Sequence, residues 1–135
     1  MHNDLSWLRG QTLSAVHAEA YTWHFSFSGG AALCAECPWR IISKGGVALG
    51  SVDHRQRFGL AGNVDAAREA GSLLARREII EARIRPETCD LTVDFAEEVR
   101  LELFNGSAGY EGWNLSSPDG RRLVAQGGGR LTVTQ

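Results

Sequence analysis

The sequence predicts a mainly β chain, a β-rich α+β fold of about eight to ten strands with one helix. Three observations carry that expectation. Apolar and polar residues alternate with period two over much of the chain, as in Trp23-x-Phe25-x-Phe27, Leu91-x-Val93-x-Phe95 and Val99-x-Leu101-x-Leu103. Helical spacing is convincing only over residues 64–76. The two halves can also be laid over each other as pseudo-repeated units of about four or five strands each, joined by that helix.

The elements follow in order. In "TLSAVHAEAYTWHFSFSGG" the second half alternates, with Tyr21, Trp23, Phe25 and Phe27 expected on one face and Thr22, His24, Ser26 and Ser28 on the other. Gly29-Gly30 turns this strand. "AALCAECPWRII" reads as one or two strands interrupted near Pro38, because proline cannot donate to a ladder. A Gly-Gly turn and a short strand follow in "SKGGVALG", and "SVDHRQRFGLAG" reads as a polar loop. The helix over "VDAAREAGSLLAR" is expected to bury Val64, Ala67, Ala70 or Gly71, and Leu74, with Asn63 as its cap. Strands resume in "EIIEARIRP", "CDLTVDF", "EVRLELF", "EGWNLSS", "RRLVAQ" and "RLTVT". "PDG" forms a turn between two of them, and Gly127-Gly128-Gly129 a turn or bulge before the last.

At one constant offset Val16, Trp23, Phe25 and Phe27 fall on Ile84, Leu91, Val93 and Phe95, and Leu33 falls on Leu101. After a short insertion in the second half, Trp39 and Ile41 fall on Trp113 and Leu115, Gly46 on Gly120, and Leu49 on Leu123. The 135 residues suit one domain, 1–135, divided into pseudo-repeat 1 (5–52), a loop and linker helix (53–77) and pseudo-repeat 2 (78–135). Trp23, Trp39 and Trp113 are the expected structural aromatics.

Composition narrows the function. The chain is 43% hydrophobic and 22% charged, with 14 basic and 16 acidic residues. The balance and the lack of a basic run argue against a nucleic-acid partner. No apolar run reaches the ~18–20 residues a membrane span needs. "MHNDLSWLRG" lacks the basic start and apolar core of a secretory signal, so the expected location is cytoplasmic. Three cysteines are an odd count and do not form a disulfide framework.

Candidate chemistry is sparse. Cys34-x-x-Cys37 has zinc-ligand spacing, but no second pair completes it; Cys89, His17, His24 and His54 lack finger-like spacing. Redox CxxC motifs open a helix, whereas this one lies in strand context beside Pro38. No metal or other cofactor is expected, with Cys34 and Cys37 the weak candidates. Ser51, Asp53 and His54 supply the residue types of a hydrolytic triad, yet neighbours on an extended chain point apart. Glu97-Glu98 reads as solvated charge at a hairpin turn. His54, Arg55 and Arg57 form a polar cluster suited to an acidic partner or a phosphate. Tyr110 and Glu111, beside Trp113, form the most distinctive cluster, since rigid amphipathic aromatics are favoured at binding surfaces.

The stretch "GYEGWNLSSPDGRRLVAQGGGRLTV" resembles the C-terminal signature of a family of small bacterial proteins of unknown function. Tyr110, Glu111, Trp113 and Gly128 carry the likeness. "CDLTVDFAEEVRLEL" looks like that family's upstream hairpin, with Glu97-Glu98 in place of Asp-Gly, and "WLRGQTLSAV" and "WHFSFSGGAAL" look like its first half. The family name implies no activity. By analogy, small proteins of this look include immunity proteins that neutralise a toxin.

The expected function is therefore a non-enzymatic protein-binding module, most concretely an inhibitor or immunity protein. Its binding residues would be His54, Arg55, Arg57, Tyr110 and Glu111, and its partner another protein. Edge strands also suit pairing with a second copy of the chain. The alternative is a small-ligand or metal-binding β domain using Cys34, Cys37 and Cys89 or His54. A hydrolase or transferase using Asp53 and His54 is the third reading.

Overall fold

The computed structural model describes residues 4–135. Eleven strands lie in two antiparallel sheets, with one α-helix, among the described residues. In chain order these are β1 (Leu13–Glu19), β2 (Thr22–Phe27), β3 (Ala32–Ala35), β4 (Trp39–Ser43) and β5 (Gly46–Gly50), then α1 (Ala66–Leu74). The second half holds β6 (Ile79–Ile84), β7 (Leu91–Phe95), β8 (Val99–Leu103), β9 (Trp113–Ser116), β10 (Arg122–Gln126) and β11 (Arg130–Thr134). The chain is mainly β, as its alternation predicts, with one strand more than the upper expectation.

The first sheet runs β1-β2-β3-β9-β10-β11 and the second β5-β4-β8-β7-β6. Each half therefore supplies strands to both sheets. The central ladders match in register. Trp39 stands opposite Leu103 and Ile41 opposite Leu101; Trp113 stands opposite Ala35 and Leu115 opposite Leu33. In the outer hairpins, Val16 pairs with Phe25 while Ala82, not Ile84, pairs with Val93. The overlay of Val16 on Ile84 is thus off by two residues. The first hairpin turns tightly at Glu19↔Thr22, whereas residues 85–90 make a longer connection between Ile84 and Leu91. A two-residue slip keeps every side chain on its face, so alternation alone cannot detect it. Bulges at Leu13/Ala15 and Ile79/Glu81 fall at matching places under the corrected offset.

The inward faces of both sheets fill one core. Trp39, Ile41, Leu91, Val93 and Leu101 come from one sheet, and Phe25, Leu33, Trp113, Leu115 and Leu123 from the other; all are buried. Trp39 bridges the layers, meeting Trp23 edge-on at 5.1 Å and Phe25 at 5.5 Å. Tyr21 does not join this face. It lies in the tight turn before β2 and is 91% exposed.

Helix α1 begins later than spacing predicts. Asp65 caps it, its side chain accepting the Arg68 N–H at 3.1 Å, in place of Asn63. The buried positions are Ala66, Ala70 and Leu74, one turn apart on one stripe. That stripe packs against β1, β4 and β5, covering the sandwich where the edge strands β1 and β5 leave it open. Val64 is buried just ahead of the helix.

Candidate functional site

The chain crosses between the sheets twice, at 36–38 going out and at 104–112 coming back. The crossings hold each other by main-chain bonds. Glu36 N–H donates to Gly112 O at 2.8 Å, and Phe104 N–H to Pro38 O at 3.0 Å. These two bonds are equivalents in the two halves, so Cys37 matches Asn105 and residues 106–111 are the insertion in the second half. The insertion forms one wall of a cleft of about 770 Å³ over the crossings. Tyr21 and Tyr110 stand at this cleft, with Pro38, Asn105, Glu36 and Glu111 among its other lining residues.

The insertion is tightly braced. The Ser107 hydroxyl accepts the N–H groups of Gly109 (3.1 Å) and Tyr110 (2.9 Å), and Ser107 O accepts from Gly128 N–H at 2.8 Å. Gly127 packs directly on the Gly109 backbone, where a Cβ would have no room. Gly129 lies as closely against Glu87 O, with φ +88°. The triple glycine is a turn between β10 and β11, as expected, and also the seat of the loop that presents Tyr110. Its glycines are needed for close approach, which sequence spacing does not disclose. Tyr110 itself is 82% exposed.

Asn105 fastens the return crossing from below. Its N–H donates to Asp90 Oδ1 at 2.8 Å, and its Nδ2 to the carbonyls of Thr88 (2.9 Å) and Gln126 (3.0 Å). The residue is buried, and its Oδ1 has no donor among the described residues. Sequence reasoning missed Asn105; its alignment with Cys37 across the two halves is the signal that could have found it. Glu111 is held in place by Asn114, whose Nδ2 donates to Oε2 at 3.0 Å.

The polar cluster at 54–57 lies elsewhere and does not line the cleft. His54 is half-buried, its ring edge-on to Trp23 at 5.2 Å. Its Nδ1 accepts the Ala66 N–H at 3.0 Å, an orphan donor of the first turn of α1. Asp53 Oδ2 accepts the Gly50 N–H at 2.8 Å, and Ser51 Oγ the Trp39 N–H at 3.0 Å. All three triad-type side chains thus bond to main chain around this loop. Arg55 and Arg57 are exposed, and Arg57 donates to Ala61 O at 2.7 Å. Val52, Phe58 and Leu60 are exposed on the same loop, more apolar than its polar sequence suggests.

The cysteines are separated by their surroundings. Cys34 lies on the outer face of the first sheet, 3.0 Å from His24 Nδ1. Burial pushes its thiol up, with Arg122 opposing. Cys37 is buried under the cleft and its thiol is pushed up to about 12, first by burial. Cys89 donates its S–H to Gly129 O at 3.1 Å. Among the described residues no group of three His, Cys, Asp or Glu side chains is arranged to hold a metal ion.

The fold and cleft define a two-sheet β protein with an aromatic-walled groove at its sheet crossings. The chain belongs to a family of unknown function (DUF6188), whose model matches residues 4–135. No curated protein and no solved structure matches it. No helix among the described residues is long and apolar enough to cross a membrane.

Proposed function

We propose that this chain is a non-enzymatic protein-binding module, most concretely an inhibitor or immunity protein, and that it docks its partner on the cleft between Tyr21 and Tyr110. The observation that supports this reading is Tyr110, 82% exposed on a loop whose backbone is fixed by Ser107 and the triple glycine. A braced loop has already lost the backbone freedom that a mobile loop would give up on binding, and a tyrosine has only two χ angles left to order. Tyr21, on a two-residue turn, is presented in the same way. Their rings supply amphipathic area in the manner of interface hot spots.

The same geometry weakens the hydrolase or transferase reading. His54 Nδ1 and Asp53 Oδ2 already accept main-chain N–H bonds that hold the loop and α1. Arg55 and Arg57 remain a second surface for an acidic partner.

The test is native mass spectrometry of the tagged chain drawn gently from its own host lysate. The expected result is one protein at fixed stoichiometry, held through a total buried area of about 1,200–2,000 Å². The Tyr21→Ala/Tyr110→Ala double variant should lose it while staying folded. If that variant keeps the partner and Arg55→Ala/Arg57→Ala loses it, the cleft is not the docking surface.

A further inference from the structure

We propose that the cleft receives an arginine-bearing segment of the partner protein, its guanidinium held by the faces of Tyr21 and Tyr110 and the carboxylates of Glu36 and Glu111. This rests on the docking reading above and adds the partner's chemistry. Among the described residues, the only charged side chains lining the cleft are those two glutamates. Neither forms an ion pair among the described residues; Glu111 Oε2 accepts from Asn114 Nδ2, and Asn114 Oδ1 in turn accepts from Arg122. At the floor, Asn105 offers no free donor: both Nδ2 hydrogens are engaged by the carbonyls of Thr88 and Gln126, and Oδ1 is buried with no partner among the described residues.

An aromatic and acidic cleft selects a cation that can also stack. Arginine does both, because its planar guanidinium lies on aromatic faces and bonds carboxylates in a fork, whereas lysine is a strongly hydrated point charge. The ~770 Å³ volume holds a short segment and not a single side chain alone. An acidic segment would place a third carboxylate against the two present, with no cation among the described residues lining the cleft to balance it.

The probe is a blocked tripeptide, acetyl-Gly-Arg-Gly-amide, titrated into labelled protein and followed by amide chemical shifts, with the Gly-Glu-Gly and Gly-Lys-Gly peptides as comparisons. The arginine peptide should move Tyr21, Glu36, Glu111 and Gly112 saturably at about millimolar concentration, ahead of the lysine peptide, and the glutamate peptide should move none. Glu36→Gln/Glu111→Gln should weaken the arginine peptide at least about fivefold, and so should added salt. No saturable shift at the cleft, equal response to all three peptides, or unchanged affinity in the Gln variant would overturn the proposal. The docking reading fails separately: it falls if the tyrosine variant keeps its partner, and it stands if that partner needs Tyr110 but not the glutamates.

Discussion

Trp113 donates its indole N–H to the carbonyl of Cys89 at 2.7 Å, while Trp39, its counterpart in the first half, is equally buried with no partner for its own indole N–H among the described residues. The cause is the length of the hairpin beneath each ring. Residues 85–90 bring a carbonyl under Trp113; the tight turn at Ala20-Tyr21 brings none under Trp39, which is covered by Trp23 and Phe25 instead. Trp113→Phe therefore leaves a buried carbonyl unpaired as well as a cavity, a loss of about 2–4 kcal/mol. Trp39→Phe removes an N–H that already lacked a partner, and should cost about 1–2 kcal/mol. Urea unfolding with matched m-values checks the order; a larger loss at Trp39 would contradict it.

Gly127 rests on Gly109 without space for a Cβ between them. Both sides of this contact are main chain, so no rotamer change can relieve it. Gly127→Ala should cost about 2–4 kcal/mol and lower the amide protection of residues 107–111 against exchange. Gly62→Ala, where nothing lies within 4 Å of the added carbon, is the control and should stay within about 0.5 kcal/mol of the parent.

On β7, Asp94 is flanked by Arg100 (2.7 Å) and Arg83 (2.6 Å). Burial raises its pKa, but the bonds from the two guanidinium groups outweigh that and hold the carboxyl below its ordinary value. A depressed folded pKa gives stability that is present above the unfolded value of about 3.9 and is lost as pH falls through the lower folded value. Asp94→Asn should thus be less stable at neutral pH, and lose less than the parent between neutral and acid. Urea midpoints at pH 7 and below pH 4 for both proteins measure this. Parallel curves would remove Asp94 from the acid response.

The alternation in β2, β7 and β8 was enough to predict a mainly β chain, because a strand with one face on a core must bury every second residue. Glu97-Glu98 was likewise legible as a hairpin turn, and both residues take positive φ there, 65° and 61°. Tyr110 and Glu111 stood out by type. Asn105 did not, since its role comes from carbonyls at residues 88 and 126, far away in sequence. His54 looked like a free polar group until the fold set it under the first turn of α1.

The inward-facing residues of β2, β7 and β8 and most of the extended segments were readable from the sequence, because they follow from local backbone sterics and the period of the side chains; Tyr21, expected inward and found in a turn, was not. Only the tertiary structure decided how the halves exchange strands between two sheets, which hairpin slips by two residues, and what the insertion at 106–111 does. Those outcomes depend on contacts between distant segments: Glu36 with Gly112, Phe104 with Pro38, and Gly127 with Gly109. The two tyrosines that line the cleft come from opposite halves of the chain, Tyr21 from the β1–β2 turn and Tyr110 from the return crossing, and no local pattern links them.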